Sequence, residues 1–331
     1  MLKTRYDIMS QTNQTGFNII QMITALLTDK QIHGVNDQSD FALGWMCPIY
    51  KKKERTDISN YRPITLLNTD YKLLTKTLML QLTKHIRTLI HPNQGGSIPG
   101  QSIFDHIRLA NAIINYAGIA EVDGAIAALD QEKAYNKIQH NYLWDTLKAF
   151  NLPPPFIRTI RSLYLNTSTV VAINGILSKL FKVCQGICQG NPLSCVIFNL
   201  TIEALACMIR KDAGLKGIVI PGLNHSIKAN FFTDDTCLYL SREDSLNYTQ
   251  MILQDWCLTS GAKFNIEKTK IIPIGSEAHR QRVITTRRVN LQDSPLNNHI
   301  KIAYDSDTVR SLGAWIGNHV NNATPWEPIL D

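Results

Sequence analysis

Two apolar segments of this chain end or turn on carboxylates. GAIAALD (124–130) closes on Asp130, and KANFFTDDTCLYL (228–240) is interrupted by Asp234 and Asp235. Short apolar runs of this kind read as buried strands. The second segment, with acids at its centre, reads as a hairpin that presents them at one end of a sheet. Adjacent strand residues point to opposite faces, so only bending at the turn lets both acids approach one place. Neighbouring carboxylates repel unless a cation or solvent relieves them. Taken alone, the pair is a solvated turn, and Asp130 is a helix cap or turn residue. Taken together, three carboxylates on two apolar strands are what a two-magnesium site needs. Two cations about 3.5–4 Å apart would align an attacking hydroxyl and neutralise a leaving pyrophosphate. Magnesium takes oxygen ligands and keeps waters, so two or three carboxylates plus substrate phosphates suffice.

The rest of the chain mixes helices and strands. Phe17, Ile20, Ile23 and Leu27 predict an amphipathic helix ending near Asp29, and Leu74, Leu78, Leu82 and Ile86 form a helical core stripe. HPNQGGSIPGQS is a glycine- and proline-rich loop. SIFDHIRLANAIINYA, HNYLWDTLKAF, FIRTIRSLYL and PLSCVIFNLTIEALACMIRKD read as helices. TSTVVAING reads as a strand, with Asn174-Gly175 a hairpin turn signal. Strands joined both by hairpins and by helices argue an α+β sheet domain with a helical part.

With 331 residues, 44% of them hydrophobic, the chain can build a large core in two domains, or in one domain with a large insertion. Lys and Arg exceed Asp and Glu by 34 − 27 = 7, a balance that suits a polyanion partner without requiring one. The seven cysteines are scattered, and Cys184, Cys188 and Cys195 lack zinc-ligand spacing. No run reaches the roughly 18 apolar residues of a membrane span, and the N-terminus has no apolar signal core. The expectation is a soluble, intracellular protein that has no membrane association.

LDQEKAYNKI, QGNPLS, FTDD and KFNIEKTK fall in the order and rough spacing of reverse transcriptase motifs. Upstream, PIYKKKERTDISNYRPITLLNTDYK and QGGSIPGQSIFDHI resemble the fingers motifs of non-LTR (LINE-type) retrotransposon enzymes. VRSLGAWIG resembles the motif that follows the palm. The wording resembles the fungal members most, and the likeness covers roughly residues 40–331. It implies a right-hand polymerase fold, with an antiparallel palm sheet and packed helices. The implied parts are an N-terminal helical extension (1–45), interleaved fingers and palm (46–275), and a palm end with an incomplete, truncated thumb or connection (276–331).

The resemblance further implies RNA-directed DNA synthesis from an RNA template, a DNA primer and dNTPs, and a nuclear location. Asp130, Asp234 and Asp235 would hold two Mg²⁺, with Mn²⁺ as a substitute. Lys268 would be the general acid for pyrophosphate. Tyr135 would pack under the incoming sugar and reject a ribose 2′-hydroxyl. Gln189 and Gly190 would line the nucleotide and template pocket, where glycine permits close approach. Arg62, with Lys51 beside it, would contact the triphosphate through its planar fork.

Several positions depart from the family pattern. Asn136 stands where an acid is usual, Gln185, Cys188 and Asn191 where two arginines and an aspartate are usual, Gln101 for arginine, and Thr233 for alanine. Fewer fixed positive charges weaken phosphate contacts. The four kinds of exchange Arg→Gln, Arg→Cys, Asp→Asn and Ala→Thr are each reachable by one G:C to A:T transition, the direction expected of a decaying copy. The expectation from the resemblance is a chain without the family's N-terminal endonuclease region and with a thumb cut short at TPWEPILD. Two alternatives follow: an inactive retroelement remnant that binds nucleic acid non-specifically, or an intron-maturase-like or telomerase-like reverse transcriptase.

Overall fold

A computed structural model describes residues 18–35, 40–51, 53–311 and 314–320. Phe17, Lys52 and the TPWEPILD segment lie outside these. The chain forms two compact units. The first comprises Met1–Leu78, Leu147–Cys184 and Cys188–Pro192; the second comprises Met79–Thr146, Gln185–Ile187 and Leu193–Asp331.

Helix α1 (Ile19–His33) opens the first unit, with Asn18 capping its N-terminus. It runs four residues past the expected end at Asp29. Nothing after Asp29 breaks a helix until Gly34, whose φ of +80° ends it and whose N–H bonds back to the Lys30 carbonyl. β1 (Leu43–Tyr50) and β2 (Tyr61–Leu67) pair antiparallel from Gly44↔Leu67 to Tyr50↔Tyr61. Helix α2 (Thr69–Thr83) then carries the chain across the division, followed by α3 (Ile86–Leu89). Leu74, Leu78, Leu82 and Ile86 are all buried, as their four-residue spacing predicts.

In the second unit α4 (Ile103–Ala120) starts with a capping box of Ser102 and Asp105, which satisfies orphan donors at both positions. It leads to β3 (Gly124–Gln131), the one-turn α5 (Ala134–Lys137) and α6 (His140–Ala149). Back in the first unit come α7 (Pro154–Leu165), β4 (Ser168–Ile173), β5 (Ile176–Leu177) and β6 (Phe181–Lys182). Asn174 and Gly175 both take positive φ between β4 and β5, the turn their identities predict. β4 lies parallel to β1, from Leu43↔Ser168 to Met46↔Val171, giving the order β2-β1-β4-β5 with β6 also on β4.

The second unit resumes with α8 (Ser194–Lys211), β7 (Ala229–Phe232), β8 (Asp235–Ser241), α9 (Leu246–Ser260) and β9 (Phe264–Ile274). α10 (Glu277–Thr286), β10 (Lys301–Ile302), β11 (Val309–Ser311) and β12 (Ala314–Ile316) complete it. Its main sheet has the order β10-β9-β3-β8-β7, with β3 antiparallel to both neighbours. Tyr239, Ile126 and Ile272 form one cross-strand row of this sheet. α4 covers that row with Ala110, Ile113, Ile114 and Ala117, a helical i, i+3, i+4, i+7 face. The strand GAIAALD is thus locked between two partners and a helix, which fixes where Asp130 emerges. Among the described residues no helix is long and apolar enough to cross a membrane.

Candidate active site

β7 and β8 form the hairpin expected from FFTDDTCLYL, closed by the pair Phe232↔Asp235 around the two-residue loop Thr233-Asp234. Two-residue loops need positive φ at a central position, where glycine or asparagine is favoured. Here Thr233 takes it, at φ +57°. For a β-branched residue such backbone costs on the order of 1–3 kcal/mol and persists only where its surroundings impose it.

The register places the other acid. Leu129 pairs with Thr236 across β3 and β8, so Asp130 and Asp235 are the next residues outward on adjoining strands, at one end of the sheet. On its other side β3 is irregular: its pairing with β9 shifts between Ala128↔Lys270 and Asp130↔Asn265. A bulge of this kind re-aims side chains at a strand end. Lys268 of β9 sits at the irregularity, and its Nζ donates to Asp130 Oδ2 at 2.9 Å. The Asp130 carboxylate is 40% exposed, open enough to exchange one cation for another. Below the acids, burial pushes the Cys237 thiol up to about 11, with the Asp235 charge adding to it.

The donor chemistry suits a hard divalent ion: carboxylate oxygens on neighbouring strand ends, one already drawing an ammonium group. Among the described residues no three His, Cys, Asp or Glu side chains stand close enough together to hold a metal.

Tyr135 lies on α5, its ring stacked on Phe198 of α8 at 4.5 Å and 16°. Its carbonyl accepts from Ile187 N–H. Gly186, beside it, has φ +89° and lies against the Asn136 backbone, where a side chain would crowd. That glycine of the QGICQG stretch therefore serves the turn after β3. α8 also carries Glu203, buried and ion-paired to Arg210. Burial raises the Glu203 carboxyl, and the Arg210 guanidinium opposes the shift. Arg210 also donates to Asn93 Oδ1 at 3.0 Å. This network escaped sequence reading, because a Glu and an Arg seven apart on a helix carry no distinguishing signal.

The remaining candidates lie in the first unit. Arg62 is exposed on β2, opposite Ile49. Lys51 is exposed just past β1, and its N–H closes onto the Asn60 carbonyl. The Gln189 carbonyl accepts from Thr65 N–H at 2.9 Å. Gly190, at φ +114°, abuts the Thr65 carbonyl, where a Cβ would collide. The close approach that this glycine permits in the structure is therefore to β2. Asn191, where the pattern has an acid, is buried and donates to the Tyr71 hydroxyl at 3.4 Å.

The family model described as "Reverse transcriptase (RNA-dependent DNA polymerase)" matches residues 49–316. The chain belongs to the reverse transcriptase family. Members of this family are generally metal-dependent. Relatives of this family member are proteins of non-LTR retrotransposons. An uncharacterized 149 kDa protein of transposon TX1 from Xenopus laevis is 32% identical over 226 residues, covering 68% of this chain and 17% of that protein. The Pol polyprotein of the type-2 retrotransposable element R2DM from Drosophila melanogaster is 26% identical over 210 residues, covering 63% and 19%. The chain thus spans less than a fifth of the length of these curated relatives. They come from a frog and a fly and do not bear on the fungal wording of the motifs.

Among solved structures, apo telomerase from Candida tropicalis, truncated from its C-terminal domain, matches with a TM-score of 0.52 at 15% identity, covering 89% of this chain and 58% of that one. Telomerase from the same organism in complex with a TWJ fragment of telomeric RNA gives 0.52 at 16%, covering 77% and 44%. At such identities the likeness concerns the fold, which is the α+β right-hand polymerase fold expected from the motifs.

Proposed function

We propose that this chain carries the catalytic acids of an RNA-directed DNA polymerase. In this reading a primer 3′-hydroxyl attacks the α-phosphate of a dNTP on an RNA template, breaking the α–β phosphoanhydride bond and releasing pyrophosphate, and Asp130, Asp234 and Asp235 would hold two Mg²⁺, with Mn²⁺ as a substitute. The observation that carries the reading is the strand-end geometry: Asp130 and Asp235 sit side by side, with the Lys268 cation already drawn to Asp130. Bound there, divalent ions would supply Lewis-acid stabilisation of the phosphoryl oxygens and a hydroxyl of lowered pKa.

The chain's own side chains take the other roles. Lys268 Nζ is the proton donor to departing pyrophosphate, a step for which a positioned acid contributes roughly 10²–10⁴-fold. Tyr135, pinned flat on Phe198, is the gate against a ribose 2′-hydroxyl. On the family pattern, Arg62 and Lys51 contact the triphosphate, and Gln189 and Gly190 line the nucleotide and template pocket. Residues 46–275 are assigned to fingers and palm on the same pattern. The retrotransposon relatives favour this reading over an intron-maturase-like one.

Tyr135→Val is expected to lower discrimination between dNTP and rNTP by about ten- to a hundredfold, while dNTP incorporation changes much less. Single-nucleotide incorporation with each substrate measures it.

A second reading, a degenerate chain that only binds nucleic acid, is favoured by Gln185, Cys188 and Asn191 standing where the pattern has two arginines and an aspartate. One experiment decides between the two: extension of a DNA primer on a poly-RNA template with Mg²⁺ or Mn²⁺, for the parent and Asp234→Ala. Extension by the parent and none by the variant supports the polymerase. Salt-sensitive RNA binding without extension supports the remnant.

A further inference from the structure

The loop HPNQGGSIPGQS packs against the acid hairpin, and its contacts concentrate on one side chain. Asn93–Gly96 runs alongside β7 as an added edge. Phe231 N–H donates to the Asn93 carbonyl at 2.7 Å, and Gly95 N–H donates to the Phe231 carbonyl at 2.9 Å. Gln94, fully buried, pairs with Phe231 in a parallel bridge. Its Oε1 accepts from Thr233 N–H and from Gly96 N–H, both at 2.9 Å, and its Nε2 donates to the Thr233 carbonyl at 3.4 Å. One amide thus holds both backbone groups of the residue that takes φ +57° immediately before Asp234.

The surroundings leave the loop little freedom. A side chain at Gly96 would collide with the Thr233 backbone, and one at Gly95 would collide with the His106 ring. α8 ties the loop from behind: Asn199 donates to the Gly96 carbonyl, and Arg210 donates to Asn93. Asn93 in turn donates to the Ala229 carbonyl of β7 at 3.1 Å. The hairpin that carries the acids is therefore held along one strand and clamped at its tip.

We propose that Gln94 is a positioning residue, which imposes the Thr233 backbone conformation and so sets where Asp234 and Asp235 present their carboxylates to divalent metal. The inference rests on the reading of those acids as metal ligands. Loss of the clamp lets the turn relax to a conformation that threonine prefers, and the carboxylates move with it. Supporting partners of metal ligands typically alter affinity or activity by about 10–100-fold.

The test uses the full 331-residue chain and Mn²⁺ as probe, read by electron paramagnetic resonance of the free ion. Gln94→Met keeps the volume and removes the three side-chain hydrogen bonds, while the backbone bond to the His91 carbonyl remains; Gln94→Glu keeps the two acceptor bonds. Gln94→Met should weaken Mn²⁺ binding by about ten- to a hundredfold. It should also lower kcat for primer extension by a similar factor, leaving KM for dNTP within about twofold. Gln94→Glu should recover most of the Mn²⁺ affinity. If Gln94→Met binds Mn²⁺ like the parent while Asp234→Ala does not, the inference falls and the metal reading stands. If Gln94→Met only lowers the melting temperature, or Gln94→Glu recovers no affinity, the residue is merely structural and the inference again falls. If the parent binds no more Mn²⁺ than Asp234→Ala, the metal reading fails, and the inference fails with it.

Discussion

Asp130→Asn is expected to cut primer extension by about a thousandfold. The exchange conserves shape and removes one negative charge from the strand end shared with Asp235. Lewis-acid stabilisation by bound metal is worth several kcal/mol in such sites, and each ~1.4 kcal/mol is a factor of ten in rate. Stability should hardly change. The carboxylate is part-exposed, and its ion pair with Lys268 is of the surface kind, worth about 0–1 kcal/mol. A single-turnover extension assay, with a thermal melt beside it, checks both halves of the expectation. An unchanged rate would remove Asp130 from the chemistry.

Arg210→Met should have the largest effect on stability, about 3–5 kcal/mol, because it leaves the buried Glu203 carboxylate without its cation. Arg210 keeps 22% of its side chain exposed, which favours the lower end of that range. The effect should depend on pH in a defined direction. Burial raises the Glu203 carboxyl in the folded protein, so the folded state holds a proton there more tightly than the unfolded state does. The stability this group contributes is therefore fully present below its unfolded pKa and is lost as pH rises through the folded one. Removing Arg210 takes away the opposing influence and raises the carboxyl further. The deficit of the variant should be greatest near neutral pH and shrink as pH falls towards the ordinary carboxylate range. Urea unfolding of parent and variant across that range would measure it. A deficit independent of pH would mean that lost packing, not the orphaned charge, dominates.

The elements around the acids were legible because local pattern and tertiary demand coincide there. GAIAAL, up to Asp130, is apolar throughout since β3 has partners on both sides and α4 over one face. Asn174-Gly175 announced its turn because few other pairs accept positive φ twice. The end of α1 was misplaced because a charged Asp29 resembles a boundary, whereas the helix stops only where glycine permits the reversed backbone.

Contacts that span long stretches of sequence were not legible. The meeting of Lys268 with Asp130 depends on an irregular register between β3 and β9, which side-chain alternation does not encode. Gln94 reaches Thr233 across 139 positions, and its segment reads simply as a loop. Gly190 could be read as a point of close approach, but its partner, the Thr65 carbonyl, could not be named.

The parallel pairing of β1 with β4 sets the earliest point in synthesis at which the sheet of the first unit can be completed. The Thr169 side chain that bonds the Gly44 carbonyl lies 125 residues further along the chain. The first unit draws on segments as late as Pro192. During synthesis at about 5–20 residues per second, the β1–β2 hairpin must wait on the order of ten seconds with one edge open before its partner strand is made. An open edge is a template for pairing with other chains. Yield in a heterologous host should therefore respond to growth temperature and translation rate, and cutting the gene between 50 and 160 should give no separately folding first unit.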